Sequence, residues 1–149
     1  MKTPDLLISL PKLTHNIHSI RSICEKASLH ITTITKVVMG HPSIASLYAT
    51  YFDSIGDSRI CDIQRMVDHQ IKTNFMLIRS PALSEAIETV QLCHISLNTE
   101  LSVCKALNEA SERLHKQHQI IIMIEMGDLQ KGILLEELDT FFHAIASLK

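Results

Sequence analysis

Tryptophan is absent, and aromatic residues make up 4% of the 149-residue chain. Base stacking on a nucleic acid therefore has little to work with. Neither charge predominates, since the formal net charge is −2. That gives no electrostatic case for nucleic acid or for an anionic membrane as partner. No C-x-x-C pair occurs among Cys24, Cys61, Cys93 and Cys104. Three of the four fall on apolar faces of expected helices or strands, which points to reduced core thiols in a cytoplasmic protein. The N-terminal apolar run, residues 6–10, is cut off by Pro11. Five residues are too few for a signal peptide or a membrane span.

Several chemical signatures are missing too. There is no G-x-S-x-G, and nothing supports a Ser-His-Asp triad. The segment bracketed by Gly127 and Gly132 lacks the Gly-Lys-Ser/Thr of a Walker loop. His15 and His18 are three apart, as are His115 and His118, but neither pair has a third ligand nearby. A zinc site is therefore not expected.

What is present is an ordinary globular balance, 46% hydrophobic and 20% charged, enough for one domain with a real core. The periodicity alternates. Residues 6–10 suggest a leading strand, and Pro11 opens a helix with the stripe Leu13, Ile17, Ile20, Cys24 and Ala27. Strand-like runs follow at 31–35, 52–55, 75–78, 94–97 and 120–124, with helical patterns after each. Their midpoints recur roughly every 20 to 26 residues, the length of a βα unit with short loops. Five such units fit the chain, with no linker or second domain. A complete (β/α)8 barrel needs roughly 250 residues. The fold class is therefore α/β: a five-stranded doubly wound sheet, or a partial TIM barrel.

Lys36 ends the first of these strands. An ammonium is costly to bury, and the carboxyl end of a parallel strand faces the ligand side. A lysine desolvated there can lose its proton and condense with an aldehyde. The plainer alternative is a rim lysine snorkelling to solvent or pairing with an acid. Gly56, Asp57, Ser58 and Arg59 end the second strand, where Gly permits close backbone approach and Asp or Ser can cap a helix. Asn98 and Thr99 are N-cap candidates. Glu136, Glu137 and Asp139 suit the first turn of a solvated helix.

Five segments together resemble a known family: ITTITKVVMGHPSIA (31–45), GDSRICDIQRM (56–66), LIRSPALSE (77–85), ISLNTE (95–100) and IIIMIEMGDLQKGI (120–133). In order and spacing they are similar to the N-terminal part of the alanine racemase-like, fold-type III pyridoxal 5'-phosphate (PLP) enzymes, nearest the ornithine racemase branch. The resemblance runs from residue 6 to about 135. It implies a PLP-binding barrel domain over 1–149, incomplete at this length. Lys36 would hold PLP as an internal aldimine and exchange the α-proton of an amino-acid substrate on one face. Gly56, Asp57, Ser58 and Arg59 would line the cofactor, as would Arg79, Ser80 and Asn98. A homo-oligomer is implied as well. Many relatives carry a basic residue two positions before the glycine matching Gly132, and here that position is Gln130.

The resemblance also implies parts that these 149 residues do not include. They are the later phosphate-binding loops, the arginine facing the pyridine nitrogen and a catalytic tyrosine from a C-terminal domain. Racemisation needs a second acid on the opposite face, and Tyr48 and Tyr51 lie in the helix after Lys36. The chain alone is thus expected to be inactive. Two alternatives stand beside the racemase: a flavodoxin-like module with strand order 2-1-3-4-5, and a PLP homeostasis-type barrel.

Overall fold

Short β-branched and aliphatic runs pair side by side in the order in which they occur. The computed structural model describes residues 6–127 and 131–148. Its strands are β1 (Thr32–Ile34), β2 (Ser54–Asp57), β3 (Asn74–Leu77), β4 (Ile95–Asn98) and β5 (Gln119–Ile122). All neighbours are parallel and the order is β1-β2-β3-β4-β5. The helices are α1 (Leu10–Lys26), α2 (Pro42–Tyr51), α3 (Ile60–Asp68), α4 (Ala86–Leu92), α5 (Leu101–Leu114) and α6 (Leu138–Ile145). Each strand is followed by a helix, so the chain is five βα units of a partial barrel with one leading helix. The sequential order excludes the doubly wound alternative, in which the order of the parallel strands reverses at a switch point within the sheet.

The core lies between one sheet face and the helices. Ile55, Phe75 and Leu77 meet Ala45, Ile63, Met66 and Cys93 there. Further clusters join α4 to α5 through Val90, Val103 and Leu107, and α5 to α6 through Cys104 and Phe141. Each large side chain so buried contributes about 1.5–3 kcal/mol. The other face is open among the described residues: Ile34 and Ile121 both remain 44% exposed. β1 and β5 are its two edges.

Three expectations change. Residues 6–9 form no strand, and Leu7 is 92% exposed. Pro11 in the first turn fixes a helical φ, so α1 begins at Leu10. The second strand starts two residues later than the apolar run suggests, because the Phe52 N–H still caps α2 through Tyr48 O at 2.9 Å. Gly56 and Asp57 consequently belong to β2, and Asn98 is the last residue of β4. Of the cysteines, Cys93 and Cys104 are buried, Cys24 is half-buried and Cys61 is exposed. Burial pushes the Cys93 thiol up to about 12. Among the described residues no helix is long and apolar enough to cross a membrane. Nor is any group of three or more His, Cys, Asp and Glu placed to hold a metal ion.

Candidate active site

The carboxyl rim begins at Thr35, which is fully buried. Its N–H continues the ladder to Gly56 O at 3.0 Å, and its hydroxyl donates to Asp57 Oδ2 at 2.8 Å. The chain cannot extend further as a strand. Lys36–Val38 form a single 3-10 turn, and Met39 and Gly40 follow with φ of 52° and 62°. Lys36 is thereby lifted off the strand end. Its side chain is exposed, which corrects the expectation of a desolvated amine. Among the described residues it has no hydrogen-bond or ion-pair partner, so its amine is free to meet a carbonyl.

Helix α3 holds this turn from outside the sheet. A Cβ on Gly40 would lie 2.7 Å from Asp62 O, so only glycine allows the approach. Arg65 Nη1 donates to Met39 O in a short hydrogen bond, and lies 3.2 Å from Asp62 Oδ1. Arg59 Nε meets Asp62 Oδ2 at 2.7 Å. The Asp62 side chain is only 2% exposed, whereas the two arginines are about half exposed.

The other expected site residues are mostly engaged by the protein itself. Asp57 is fully buried, and its second oxygen, Oδ1, accepts the Arg59 N–H at 3.1 Å. Gly56 faces the open side, yet a Cβ there would meet Ile34 and Ile78 methyls at 2.8 Å. Its lack of a side chain thus serves packing. Ser58 O accepts from Arg79 Nε at 2.6 Å. Arg79 also forms a two-pronged pair with Glu85, both contacts at 2.8 Å. That pair holds Glu85 below the ordinary carboxylate range and raises Arg79 further. Asn98 is fully buried on the helix-facing side of β4, where its Nδ2 donates to Ser96 O and Oγ at 3.0 and 2.9 Å. Neither Asn98 nor Thr99 caps α5, whose N-cap is Glu100.

The structure thus joins Asp57 to Arg59 and Ser58 to Arg79, and sets Lys36 and Asn98 apart from both pairs. Sequence reasoning missed Asp62 and Arg65. The available signal was an i,i+3 run of opposite charges, Arg59–Asp62–Arg65, beside the apolar stripe Ile63, Met66 and Val67. Two hollows open at this level of the fold. One of about 400 Å³ is lined by Leu6, Ile8, Val37, Met39 and Ile44. The other, about 670 Å³, is lined by Arg79, Ser80, Thr99, Glu100 and Lys131. The unusual Gln130, within the loop from Gly127 to Gly132, lies outside the described residues.

The donor chemistry fits an aldehyde cofactor, because the rim offers an exposed primary amine, Lys36, with no partner among the described residues, beside buried polar atoms that lack partners, Ser80 Oγ and Asn98 Oδ1. Comparison with known proteins points the same way. The family described as "Alanine racemase, N-terminal domain" matches residues 8–149. An ornithine racemase of Acetoanaerobium sticklandii is 36% identical over 130 residues, covering 87% of this chain and 36% of that protein. A lysine racemase of Thermotoga maritima is 32% identical over 138 residues, covering 92% of this chain and 39% of that protein. The chain therefore spans little more than a third of the length of these relatives. PipY of Synechococcus elongatus, solved with PLP bound, shares the fold with a TM-score of 0.70 at 14% identity. That likeness covers 87% of this chain and 64% of PipY. On the match that runs from residue 8 to residue 149, the chain belongs to the alanine racemase N-terminal domain family.

Proposed function

We propose that the chain is a PLP-binding barrel domain of an amino-acid racemase, and that Lys36 is the residue carrying the cofactor. The observation that carries this reading is the exposed, unpaired amine at the carboxyl end of β1 in a sequential parallel sheet. Its substrate class is a basic amino acid, by analogy with the ornithine and lysine racemases it resembles. PLP, when bound, draws electrons from the substrate's α-carbon and makes its proton acidic. Lys36 Nζ would then accept that proton on one face and return it there. The turn held by α3 orients the amine. Arg59 is half exposed and meets Asp62 through Nε, which leaves its outer guanidinium nitrogens for another partner.

A racemase also needs an acid on the opposite face. Tyr48 packs into the cluster around Ile55 and Ile63. Tyr51 stacks edge-on against His18 with ring centroids 4.9 Å apart. Neither can deliver a proton at the rim, so we propose that these 149 residues alone do not racemise. We further propose a cytoplasmic protein that works as a homo-oligomer, its open face and two strand edges being the surfaces it must cover.

The test is to mix the protein with PLP, reduce with borohydride and map the modified lysine. A band and a modified peptide that depend on Lys36, and vanish in Lys36→Ala, are expected. Modification spread evenly over the surface lysines would sink the assignment. L-ornithine incubated with the loaded protein should yield no D-ornithine; its appearance would overturn the claim of inactivity.

A further inference from the structure

The turn that carries Lys36 is closed at its two ends by its own hydrogen bonds, Val38 N–H to Thr35 O at 2.9 Å and His41 N–H to Val38 O at 3.0 Å, and is held less closely at its middle. Met39 N–H reaches Lys36 O at 3.3 Å, and Gly40 N–H reaches Thr35 O at 3.3 Å. Met39 also sits in the left-handed region, which is uncommon for a residue with a long side chain. A contact from outside the turn at Met39 would hold this middle in shape. Arg65 is the side chain in position to do so, because it donates to Met39 O. Its own direction is set by Asp62, whose buried carboxylate takes Arg59 on one oxygen and Arg65 on the other. Two half-exposed guanidinium groups on one buried acid form a rigid bracket, since the acid has little freedom and each arginine offers a planar fork.

We propose that Arg65, seated by Asp62, is a positioning residue for Lys36. By fixing the 36–40 turn from α3, it sets the direction from which the Lys36 amine meets a carbonyl carbon. This rests on the reading of Lys36 as the cofactor lysine and adds the device that aims it. Arg65 touches neither cofactor nor substrate. Its effect is on orientation, to which such reactions are sensitive: a misplacement of about 1 Å can cost about a hundredfold in rate. In the adduct-forming step, Lys36 Nζ would supply the amine that adds to the aldehyde carbon of PLP. The carbonyl oxygen would leave as water, carrying the two hydrogens lost from the amine.

The test uses the whole chain and three variants. Arg65→Met keeps bulk but removes the donor, Arg65→Lys keeps charge and one donor, and Asp62→Asn loosens the seat of Arg65. Borohydride-trapped PLP is counted at Lys36 relative to Lys72 and Lys105 in the same sample. Amide hydrogen exchange is followed in the peptide containing residues 36–41. Arg65→Met should lower relative incorporation at Lys36 about tenfold and speed exchange in that peptide by a similar factor. Arg65→Lys should restore part of both. Asp62→Asn should act in the same direction and keeps the test open if Arg65→Met does not fold. Unchanged incorporation, or unchanged exchange, in folded variants would overturn the positioning role alone. Wild-type Lys36 reacting no faster than Lys72 and Lys105 would instead overturn the cofactor assignment, and this inference with it.

Discussion

Two polar networks brace this sheet, and they are built in opposite ways. The one at β1 and β2 is charged and reaches water: Asp57, Arg59, Asp62 and Arg65 run from a buried core to half-exposed guanidiniums. The one at β4 and β5 is neutral and mostly buried. Asn98 Nδ2 donates to Ser96 Oγ, Ser96 Oγ lies 2.8 Å from His118 Nε2, and His118 Nδ1 lies 3.1 Å from Cys93 O. A carbonyl can only accept, so Nδ1 carries the proton and Ser96 donates to Nε2. The whole chain of bonds then has one consistent direction. The first network sets buried carboxylates beneath guanidiniums that water can reach, whereas breaking the second orphans a buried group with no water to replace the partner. The first ends on the turn of the free lysine, and the second ends in a backbone carbonyl of the core. On the proposed role of Lys36, chemistry belongs with the first and stability with the second.

The contrast can be broken most sharply at the rim. Lys36→Ala should abolish trapped PLP at the rim and leave the unfolding midpoint nearly unchanged, because the side chain is exposed. A large loss of stability would show that Lys36 is structural after all. Gly40→Ala should do the reverse. It puts a Cβ in a left-handed residue 2.7 Å from Asp62 O, at a cost of about 2–3 kcal/mol. Urea unfolding measures it, and a cost near zero would mean that α3 does not bear on the turn. Ser96→Ala comes next. It leaves His118 Nε2 without its donor and should cost about 1–2 kcal/mol, with PLP trapping at Lys36 unaffected. A fall in trapping would show that the two networks are coupled.

How much of this could be read in the sequence differs between the same two regions. The strands, their parallel series and the place of Lys36 at a strand end follow from short β-branched runs separated by helical stripes. Their even spacing is compatible with a doubly wound sheet and with a partial barrel, and the sequential strand order decides between them. What was not legible is which way polar residues near strand ends point. A shift of two residues in β2 carries Gly56 and Asp57 from loop into strand, and alternation then turns Asp57 toward α3. Asn98 follows the same logic in β4. Arg79 looked like a rim cation because its partner, Glu85, lies six residues away across an irregular turn with no periodic signature. Local sequence reports which residues are polar; only tertiary contacts report which polar groups are already engaged.

The smallest effect, and the one that best separates the two networks, is their response to acid. Burial holds His118 below its ordinary value of 6.5, with nearby His94 adding to the depression and the bond to Cys93 O opposing it. Above pH 6.5 the ring is neutral in folded and unfolded chains alike, and its hydrogen bonds are intact. As pH falls below 6.5 the unfolded chain takes up the proton first, so unfolding is favoured until the folded ring is protonated too. Stability should therefore decline on the acid side of 6.5, and part of that slope should vanish in His118→Gln. The chain has nine histidines, so the quantity to read is the difference between the two melting-temperature profiles from pH 7.5 to 5. Identical slopes would mean that His118 is not buried neutral. A protonated His118 can no longer accept from Ser96, so the β4–β5 brace loosens. The rim network should not follow, because its carboxylate is held by two guanidinium groups and not by an imidazole. Hydrogen exchange at pH 5 should accordingly rise around residues 93–98 and 118–122 before it rises around 36–41. The opposite order would make the charged network the weaker of the two, and would remove the reason for assigning chemistry to one and stability to the other.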